Sequence, residues 1–318
     1  MSYRFFIVDV FTEQAFGGNQ LAILPAASGL SSTQMQRIAR EFNFSETTFV
    51  LPPQDAGNTR QVRIFTPQHE LPFAGHPNVG TAFALVASGE IIAPAQSIPT
   101  DSIMLRFEEI AGLVPVRVEL NADQPRRAEL TAPQTFSRGQ ELAPEQTAAL
   151  FGLDTAELIT RQHLPCLASA GADYLCVELR DLAALAHSKV VPDQIPNLPA
   201  AIRQAGFLLY TRDVSNTHDV SRNTPFEVDL RARMYAPTHG VGEDPATGGA
   251  ACALAGLLGT LAPQQQGELH WRIGQGIEMS RPSLLQASVD KRDGQVTAIR
   301  VGGAAVMVAE GWIEAPAV

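Results

Sequence analysis

The sequence predicts an α+β fold of two similar, pseudo-twofold-related domains, each a β-barrel-like antiparallel or mixed sheet curled around one central helix. One segment occurs twice, because Arg63–His69 (RIFTPQH) recurs as Arg233–His239 (RMYAPTH). Each copy runs through a Gly/Pro-rich loop into a helix of small residues, so each half carries one strand–loop–helix unit. Strands and isolated helices do not alternate as repeated βαβ units, which argues against a doubly wound parallel sheet.

In the first half, alternating or β-branched runs predict strands at 3–10, 21–24, 47–51 and 61–66, and a hairpin of 103–107 with 114–120. Ser31 and Gln34 fit a capping box that begins a helix. The apolar, small-residue segment 81–88 predicts a central, buried helix.

The polar stretch 121–127 contains Pro125 and predicts a loop at the domain boundary. We therefore expect an N-terminal domain of residues 1–130, completed by a closing strand at about 305–318. Residues 131–304 form the second domain.

In the second half, the same signals predict helices at 144–151, 182–187 and 250–261, and strands at 174–179, 206–210, from 228, at 296–301 and at 305–313. Residues 211–225 are polar and poor in strand formers, which predicts a long loop. Loops of that length are often functional.

Composition excludes several classes of function. The chain of 318 residues has a net charge of −10, with 23 basic and 33 acidic side chains and no cluster of bases. Nucleic-acid binding rests on concentrated basic side chains, so we expect no nucleic-acid partner. No apolar run reaches about 18 residues and no signal peptide is recognisable, so neither a membrane span nor secretion is expected.

The chain has three cysteines, Cys166, Cys176 and Cys252. An odd number without short spacing predicts neither a disulfide framework nor a zinc site. We interpret them as reduced, buried thiols of a cytoplasmic protein.

Glu46 is a candidate acid/base group, because it lies between a helix end and an apolar strand, near Phe44 and Phe49. Partial desolvation would raise the pKa of its carboxyl toward the range useful for general acid/base catalysis. A solvated turn residue is the alternative. Counting back from Arg233 by the number of residues that separates Glu46 from Arg63 gives Asn216, so the repeat offers a carboxylate on one side only.

The repeat places His76 opposite Asp244, each in a glycine-bounded loop directly before a helix. Backbone N–H groups at helix starts bind anions, so both loops suit a carboxylate substrate. The alternatives are that Asp244 only caps its helix and that His76 is an ordinary loop histidine.

His69 and His239 also match across the repeat, but no metal-ligand spacing surrounds them, so we expect structural hydrogen bonding and no metal. Arg63 and Arg233 are expected to anchor strands. The glycines at 240 and 242 do not complete a dinucleotide fingerprint, because Pro245 occupies the third glycine position.

Five blocks carry a resemblance that spans nearly the whole chain. They are Gly18-Asn19, Ser45–Val50 (SETTFV), Arg63–Pro67 (RIFTP), Glu70–Pro77 (ELPFAGHP) and Gly242–Gly248 (GEDPATG). In order and spacing these blocks resemble the signature of the PhzF-like family, named for the phenazine-biosynthesis isomerase. The resemblance implies a diaminopimelate-epimerase-like fold with the site between two domains, and a homodimer.

The resemblance also implies roles for individual residues. Glu46 matches the acid/base glutamate of the family, and His76 and Asp244 match the residues that line the site with it. We expect substrate contacts from residues within or beside these blocks, namely Asn19, Ser45, Gly75, Thr247, Gly248 and Gly249. The two repeat loops carry no cysteine, so a two-thiol racemisation is not expected.

These observations predict an isomerase that moves a proton within a small carboxylic acid and needs no cofactor. Glu46 would remove the proton and return it to another carbon. The alternatives are a binding protein on the same fold without turnover and a cysteine-dependent epimerase. Fold resemblance names no substrate, so the phenazine reaction itself is not transferred.

Overall fold

The computed structural model describes residues 1–92, 101–122, 124–215, 218–219, 224–225 and 227–317. The chain divides into two compact units. Unit 1 comprises Met1–Pro133 and Gly302–Val318, and unit 2 comprises Gln134–Val301. Both mix strands with few helices, which confirms the predicted α+β class.

Unit 1 begins with eight strands and two helices. The strands are β1 (Ser2–Val10), β2 (Asn19–Leu24), β3 (Glu46–Leu51), β4 (Arg60–Phe65), β5 (Glu70–Leu71), β6 (Ser102–Glu109), β7 (Gly112–Asn121) and β8 (Gln124–Thr131). The helices are α1 (Ser32–Phe42) and α2 (Gly75–Ala87).

The chain continues with eleven strands and four helices, and a last strand returns to unit 1. The strands are β9 (Ser137–Glu141), β10 (Cys166–Ser169), β11 (Asp173–Leu179), β12 (Gly206–Thr211), β13 (His218–Asp219), β14 (Thr224–Pro225), β15 (Leu230–Ala236), β16 (Val241–Asp244), β17 (Gly267–Gln275), β18 (Ser283–Arg292), β19 (Gln295–Gly303) and β20 (Ala305–Glu314). The helices are α3 (Pro144–Phe151), α4 (Leu182–His187), α5 (Ala200–Arg203) and α6 (Gly248–Leu261).

The capping box predicted for α1 is confirmed. The Ser31 hydroxyl accepts from the Gln34 backbone N–H at 3.3 Å, and the Gln34 side chain accepts from the Ser31 N–H at 3.0 Å. The helix ends at Phe42, and its C-cap Asn43 has a φ of 54°, the left-handed conformation of many C-caps. Its buried face includes Met35 and Ile38.

Helix α2 is buried along nearly its whole length, as the sequence predicts. It begins at Gly75, six residues before the predicted start at Thr81. Pro77 is compatible with the first turn, where a backbone N–H has no intrahelical partner. A Cβ at Gly80 would lie 2.6 Å from Val10 and 2.7 Å from Leu21, so this glycine lets α2 pack directly on β1 and β2.

The strand registers repeat between the units. In unit 1, β2 and β3 are parallel and β3 is antiparallel to β4, with Phe49 opposite Arg63. In unit 2, β11 and β12 are parallel and β12 is antiparallel to β15, with Leu209 opposite Arg233.

This register makes Gly206, the first residue of β12, the counterpart of Glu46, the first residue of β3. The equal-distance count that selected Asn216 is therefore wrong, because the connection from β12 to β15 is longer than that from β3 to β4. Asn216 itself lies outside the described residues.

Strand β20 runs antiparallel to β1, with Phe6 opposite Glu310, so the end of the chain completes the sheet of unit 1. The hairpin of β6 and β7 closes with Glu109 opposite Gly112, and the predicted hairpin is confirmed.

Two predictions of irregular chain need correction. The predicted loop at 121–127 is wrong in its second part, because β8 begins at Gln124 and pairs with β7 despite Pro125. Within the predicted loop 211–225, His218–Asp219 pairs with Thr224–Pro225. Residues 216–217 and 220–223 of that loop lie outside the described part of the chain.

Candidate active site

Three of the residues selected from the sequence come together in unit 1. His76 Nδ1 lies 3.4 Å from Glu46 Oε2 and 3.4 Å from Asn19 Nδ2. Asn19 and Glu46 are the first residues of the neighbouring strands β2 and β3, and His76 is the second residue of α2. Parallel strands begin at the same edge of a sheet, so β2 and β3 present both side chains beside the start of α2.

A hydroxyl pair holds β3 against α2. Thr48 and Thr81 are both buried, and their hydroxyl oxygens are 2.8 Å apart. Thr48 is two residues beyond Glu46, so this hydrogen bond fixes the strand close to the acidic side chain. Ser45 directly precedes Glu46 in the chain.

His76 is neutral at physiological pH. Burial lowers the pKa of its ring to about 3, and a hydrogen bond with the backbone of Gln20 opposes this shift. The 3.4 Å contact between His76 Nδ1 and Glu46 Oε2 is therefore not an ion pair. His76 Nε2 is buried without a hydrogen-bond partner among the described residues.

The start of α2 suits an anion. Its N-cap residue is Ala74, which has no side chain that can satisfy the first backbone N–H groups. Gly75 follows as the first helical residue. Asn78 donates to the Ala74 carbonyl at 2.9 Å and fixes the turn from within.

The second group of selected residues lies in unit 2 around Asp244, the last residue of β16. The Thr247 hydroxyl donates to Asp244 Oδ2. Gln275 Nε2 donates to the Asp244 carbonyl at 2.8 Å and to the Thr247 hydroxyl at 3.1 Å. Its Oε1 accepts from the Thr247 backbone N–H at 3.3 Å, so one buried glutamine holds both ends of the loop.

Asp244 does not cap α6, contrary to one of the alternatives left open by the sequence. The helix begins at Gly248 with Thr247 as its N-cap, and no side-chain cap bond forms there within the described chain. The prediction that a helix directly follows both loop residues also needs correction. His76 already lies inside α2, whereas three residues separate Asp244 from α6.

The position equivalent to Glu46 carries no carboxylate in unit 2. A Cβ at Gly206 would lie 2.7 Å from the ring of Tyr174, and one at Gly249 would lie 2.7 Å from its hydroxyl oxygen. Tyr174 therefore fills the space beside Gly206 and reaches the first turn of α6.

Arg63 and Arg233 anchor strands, as predicted. Arg63 binds both carboxylate oxygens of Glu70 at 2.6 Å, and Arg233 binds those of Glu243 at 2.8 and 2.9 Å. Such bidentate pairs fix the planar guanidinium.

The matched histidines have structural partners, as predicted. The His69 backbone N–H donates to the Thr66 hydroxyl at 3.0 Å, and the His239 ring contacts the Gln204 carbonyl at 2.9 Å. No group of three or more His, Cys, Asp or Glu side chains in the described ranges is placed to hold a metal ion.

All three cysteines are buried free thiols. Cys166 and Cys176 lie opposite each other on β10 and β11, and Cys252 lies within α6. Burial raises the pKa of the Cys166 and Cys176 thiols, so the thiolate form is disfavoured at both.

Sequence reasoning missed Gln275, Asn78 and Tyr174. Gln275 is the last residue of β17, a strand that is exposed at its start and buried at its end. Asn78 is a polar residue in an apolar helix. Neither pattern distinguishes a side chain that holds a loop from an ordinary polar residue. Tyr174 is identified by the strand register that places it beside Gly206. This register is known only once the sheet has formed.

Comparison with known proteins agrees with this architecture. The profile of the family described as "Phenazine biosynthesis-like protein" matches residues 8–311. The chain is 35% identical over 313 residues to the trans-2,3-dihydro-3-hydroxyanthranilate isomerase of Pseudomonas chlororaphis, covering 98% of this chain and 99% of that protein. It is 34% identical over 311 residues to an uncharacterized isomerase of Mesorhizobium japonicum, with 97% of both chains covered.

A solved structure of a PhzF-family phenazine biosynthesis protein from Bacillus anthracis is similar with a TM-score of 0.84. The sequences are 24% identical, and 99% of each chain is covered, so the likeness supports the fold.

No helix in the described part of the chain is long and apolar enough to cross a membrane.

Proposed function

Since the chain belongs to the family of phenazine biosynthesis-like proteins, whose relatives named above are isomerases, we propose that it moves a proton within a small carboxylic acid by acid/base catalysis. The observation that carries this proposal is the contact of Glu46 with neutral His76 at the start of α2. Glu46 is the acid/base group.

Glu46 takes a proton from one carbon of the substrate and returns it to another carbon of the same conjugated system. Its side chain is 17% exposed, against 4% for His76, so the carboxyl is the member of the pair that a substrate can reach. One carboxyl suffices, because the group that accepts the proton in the first step donates it in the second. The net reaction needs no oxidant or reductant, so we propose that no cofactor takes part.

His76 orients the substrate and the Glu46 carboxyl. A neutral imidazole can donate one hydrogen bond and accept another. Through Nδ1 it faces Glu46 and Asn19, so it fixes the position from which the carboxyl meets the substrate.

The substrate carboxylate binds at helix starts. The first turns of α2 and α6 begin at Gly75 and Gly248, and neither is satisfied by a capping side chain among the described residues. Exposed backbone N–H groups and the helix dipole favour an anion at such a position. We propose that Asp244 and Thr247 complete the site, with both repeat loops facing one interdomain cleft.

The substrate class is a small carboxylic acid with an acidic C–H next to an enamine, imine or carbonyl group. The substrate in the name of the Pseudomonas chlororaphis relative is the first compound to assay. A metabolite screen in heavy water, read by mass shift, tests the wider class. A catalyst exchanges substrate C–H protons with the solvent, whereas a protein that only binds leaves the mass unchanged.

A cysteine-dependent epimerase is the second candidate, and the structure argues against it. Cys166 and Cys176 are buried with raised thiol pKa values, and Cys252 lies inside α6 beyond its first turn. Thiol alkylation distinguishes the two, since it abolishes activity only if a thiol is the base.

A further inference from the structure

Gln275, the last residue of β17, is a buried polar side chain whose whole amide is used on one loop. It is 1% exposed. Its Nε2 donates to the Asp244 carbonyl at 2.8 Å and to the Thr247 hydroxyl at 3.1 Å, so both of its hydrogens are used. Its Oε1 accepts from the Thr247 backbone N–H at 3.3 Å. A backbone N–H only donates and a carbonyl only accepts, so these partners leave one orientation for the amide.

The Thr247 hydroxyl has a direction that follows from this orientation. It accepts from Gln275, and it donates its single hydrogen to Asp244 Oδ2. Asp244 is itself buried. One chain of hydrogen bonds therefore runs from Gln275 through Thr247 to the Asp244 carboxylate, and it fixes the hydroxyl of Thr247 on the side of Asp244.

Thr247 is also the N-cap residue of α6, and its side chain makes no capping bond within the described chain. An N-cap threonine usually accepts from the backbone N–H of the second or third helical residue, which is Gly249 or Ala250 in α6. The hydrogen bonds with Gln275 and Asp244 hold the hydroxyl elsewhere. The missing cap therefore follows from the side chains around Thr247, because the residue type itself favours capping.

The two repeats reach an uncapped helix start by different routes. In α2 the N-cap residue is Ala74, which has no polar side chain. In α6 the N-cap residue is a threonine whose hydroxyl is occupied. The same outcome in both helices leaves the first backbone N–H groups of each available to an anion.

The turn that follows Gln275 is anchored on both sides. Gly276 has a φ of 73°, and a Cβ there would lie 2.5 Å from the Pro245 carbonyl oxygen, so the turn packs directly on the loop. Glu278, in the same turn, accepts from Arg231 of β15 at 2.6 Å, and the Arg231 side chain is only 6% exposed. The turn therefore holds the amide of Gln275 at one place between the loop and the sheet.

We propose that Gln275 is a positioning residue that holds the Thr247 hydroxyl on the Asp244 carboxylate and thereby prevents Thr247 from capping α6. This role rests on the proposed function, in which Asp244, Thr247 and the start of α6 meet the substrate carboxylate. Gln275 is buried and acts through Thr247. Without its amide the hydroxyl turns to the backbone N–H of Gly249 or Ala250 and competes there with the substrate.

The first test is amide hydrogen exchange, followed by NMR without substrate, in the wild type and in Gln275→Met. Methionine keeps a long, flexible side chain and offers no N–H or carbonyl. Exchange at the Thr247 N–H should become faster, because its acceptor is lost. Exchange at the newly capped Gly249 or Ala250 N–H should become slower by about fivefold or more. A glutamine that only stabilises the loop predicts faster exchange at all three positions, and that result would overturn the proposal.

Thr247→Val removes the hydroxyl at nearly constant volume and tests the same point independently. Alone, it should leave exchange at Gly249 and Ala250 within about twofold of the wild type, because the hydroxyl does not cap α6 there. Combined with Gln275→Met, it should abolish the slower exchange. Faster exchange in Thr247→Val alone would show that Thr247 already caps α6, and it would contradict the proposal even if Gln275→Met does not fold.

The second test measures kcat and KM with the substrate named for the Pseudomonas chlororaphis relative. Gln275→Met should raise KM by about fivefold or more, because the released hydroxyl competes for the N–H groups that bind the carboxylate. In the Thr247→Val background no hydroxyl remains to compete, so adding Gln275→Met should leave KM within about twofold of Thr247→Val alone. Losses that simply add in the double variant would argue against a role through Thr247.

Gln34→Met is the matched control, because Gln34 is also buried and also binds backbone groups through its amide. Its Nε2 donates to the Pro316 carbonyl at 2.7 Å, and its Oε1 accepts from the Ser31 N–H at 3.0 Å. The control should lower the free energy of unfolding and leave KM as in the wild type. An equal rise of KM in Gln34→Met would assign the effect of Gln275→Met to lost stability.

The exchange experiment needs no substrate, so it decides the role of Gln275 even if the proposed reaction is wrong. Failure of the isomerase proposal would appear as a wild type without turnover or deuterium incorporation, with the amide exchange pattern as predicted. Failure of the Gln275 proposal would appear in that exchange pattern while the wild type still turns over.

Discussion

The neutral state of His76 predicts how the free energy of unfolding changes in acid. In the folded protein the pKa of its ring is about 3, against about 6.5 in an unfolded chain. Between these values the unfolded state binds a proton that the folded state does not. Stability therefore falls as the pH drops below 6.5, by about 1.4 kcal/mol per pH unit for this one group.

The perturbation is His76→Gln, which keeps a neutral polar side chain and removes the titration. From pH 7 to pH 4.5 the wild type should lose about 2–3 kcal/mol of unfolding free energy relative to the variant. The assay is equilibrium denaturant unfolding of both proteins at pH 7, 5.5 and 4.5. The two proteins share their carboxylates, so the contributions of these groups cancel in the difference. A difference that stays constant with pH, or a His76 ring that titrates near pH 6.5 by NMR, would refute the reasoning.

Two further predictions concern the thiols and the packing of α2. Replacing Cys166, Cys176 and Cys252 by alanine or serine should leave turnover largely intact while lowering stability, and a folded but inactive Cys252→Ala would revive the thiol mechanism. Gly80→Ala should lower the free energy of unfolding by about 1–3 kcal/mol, because its Cβ would lie 2.6 Å from Val10. In a Gly242→Ala control nothing lies within 4 Å of the added Cβ, so its thermal unfolding should change little.

The sequence predicts the elements whose signals are local. The Ser31–Gln34 capping box and the alternation around β4 and β15 depend on neighbouring residues, and both appear as expected. Strand β8 was missed because Pro125 and polar neighbours look like a loop. Its pairing with β7 decides its structure, and that pairing is not visible in a short window.

The candidate site divides in the same way. The apolar neighbours of Glu46 and the repeat position of His76 suggest these two residues, and the structure brings their side chains to 3.4 Å. The lowered pKa of His76 and the hydrogen bonds of the Gln275 side-chain amide arise from burial and tertiary contact. Such features depend on which elements pack together, so the sequence alone does not contain them in readable form.

The central claim is that Glu46 carries the proton, and Glu46→Gln tests it most directly. The amide keeps the size and polarity of the side chain but cannot accept the proton. General acid/base groups contribute about 10²–10⁴-fold to rate, so the variant should lose at least 10²-fold in turnover and in solvent deuterium exchange. Glu41→Gln, at an exposed position of α1, is the matched control and should behave as the wild type.

The decisive measurement is deuterium incorporation into the substrate by wild type, Glu46→Gln and Glu41→Gln, with carboxylate affinity measured on the same samples. We predict rapid incorporation by the wild type and the control, and a loss of at least about 10²-fold for Glu46→Gln with affinity retained. Near-normal incorporation by a folded Glu46→Gln would contradict the account.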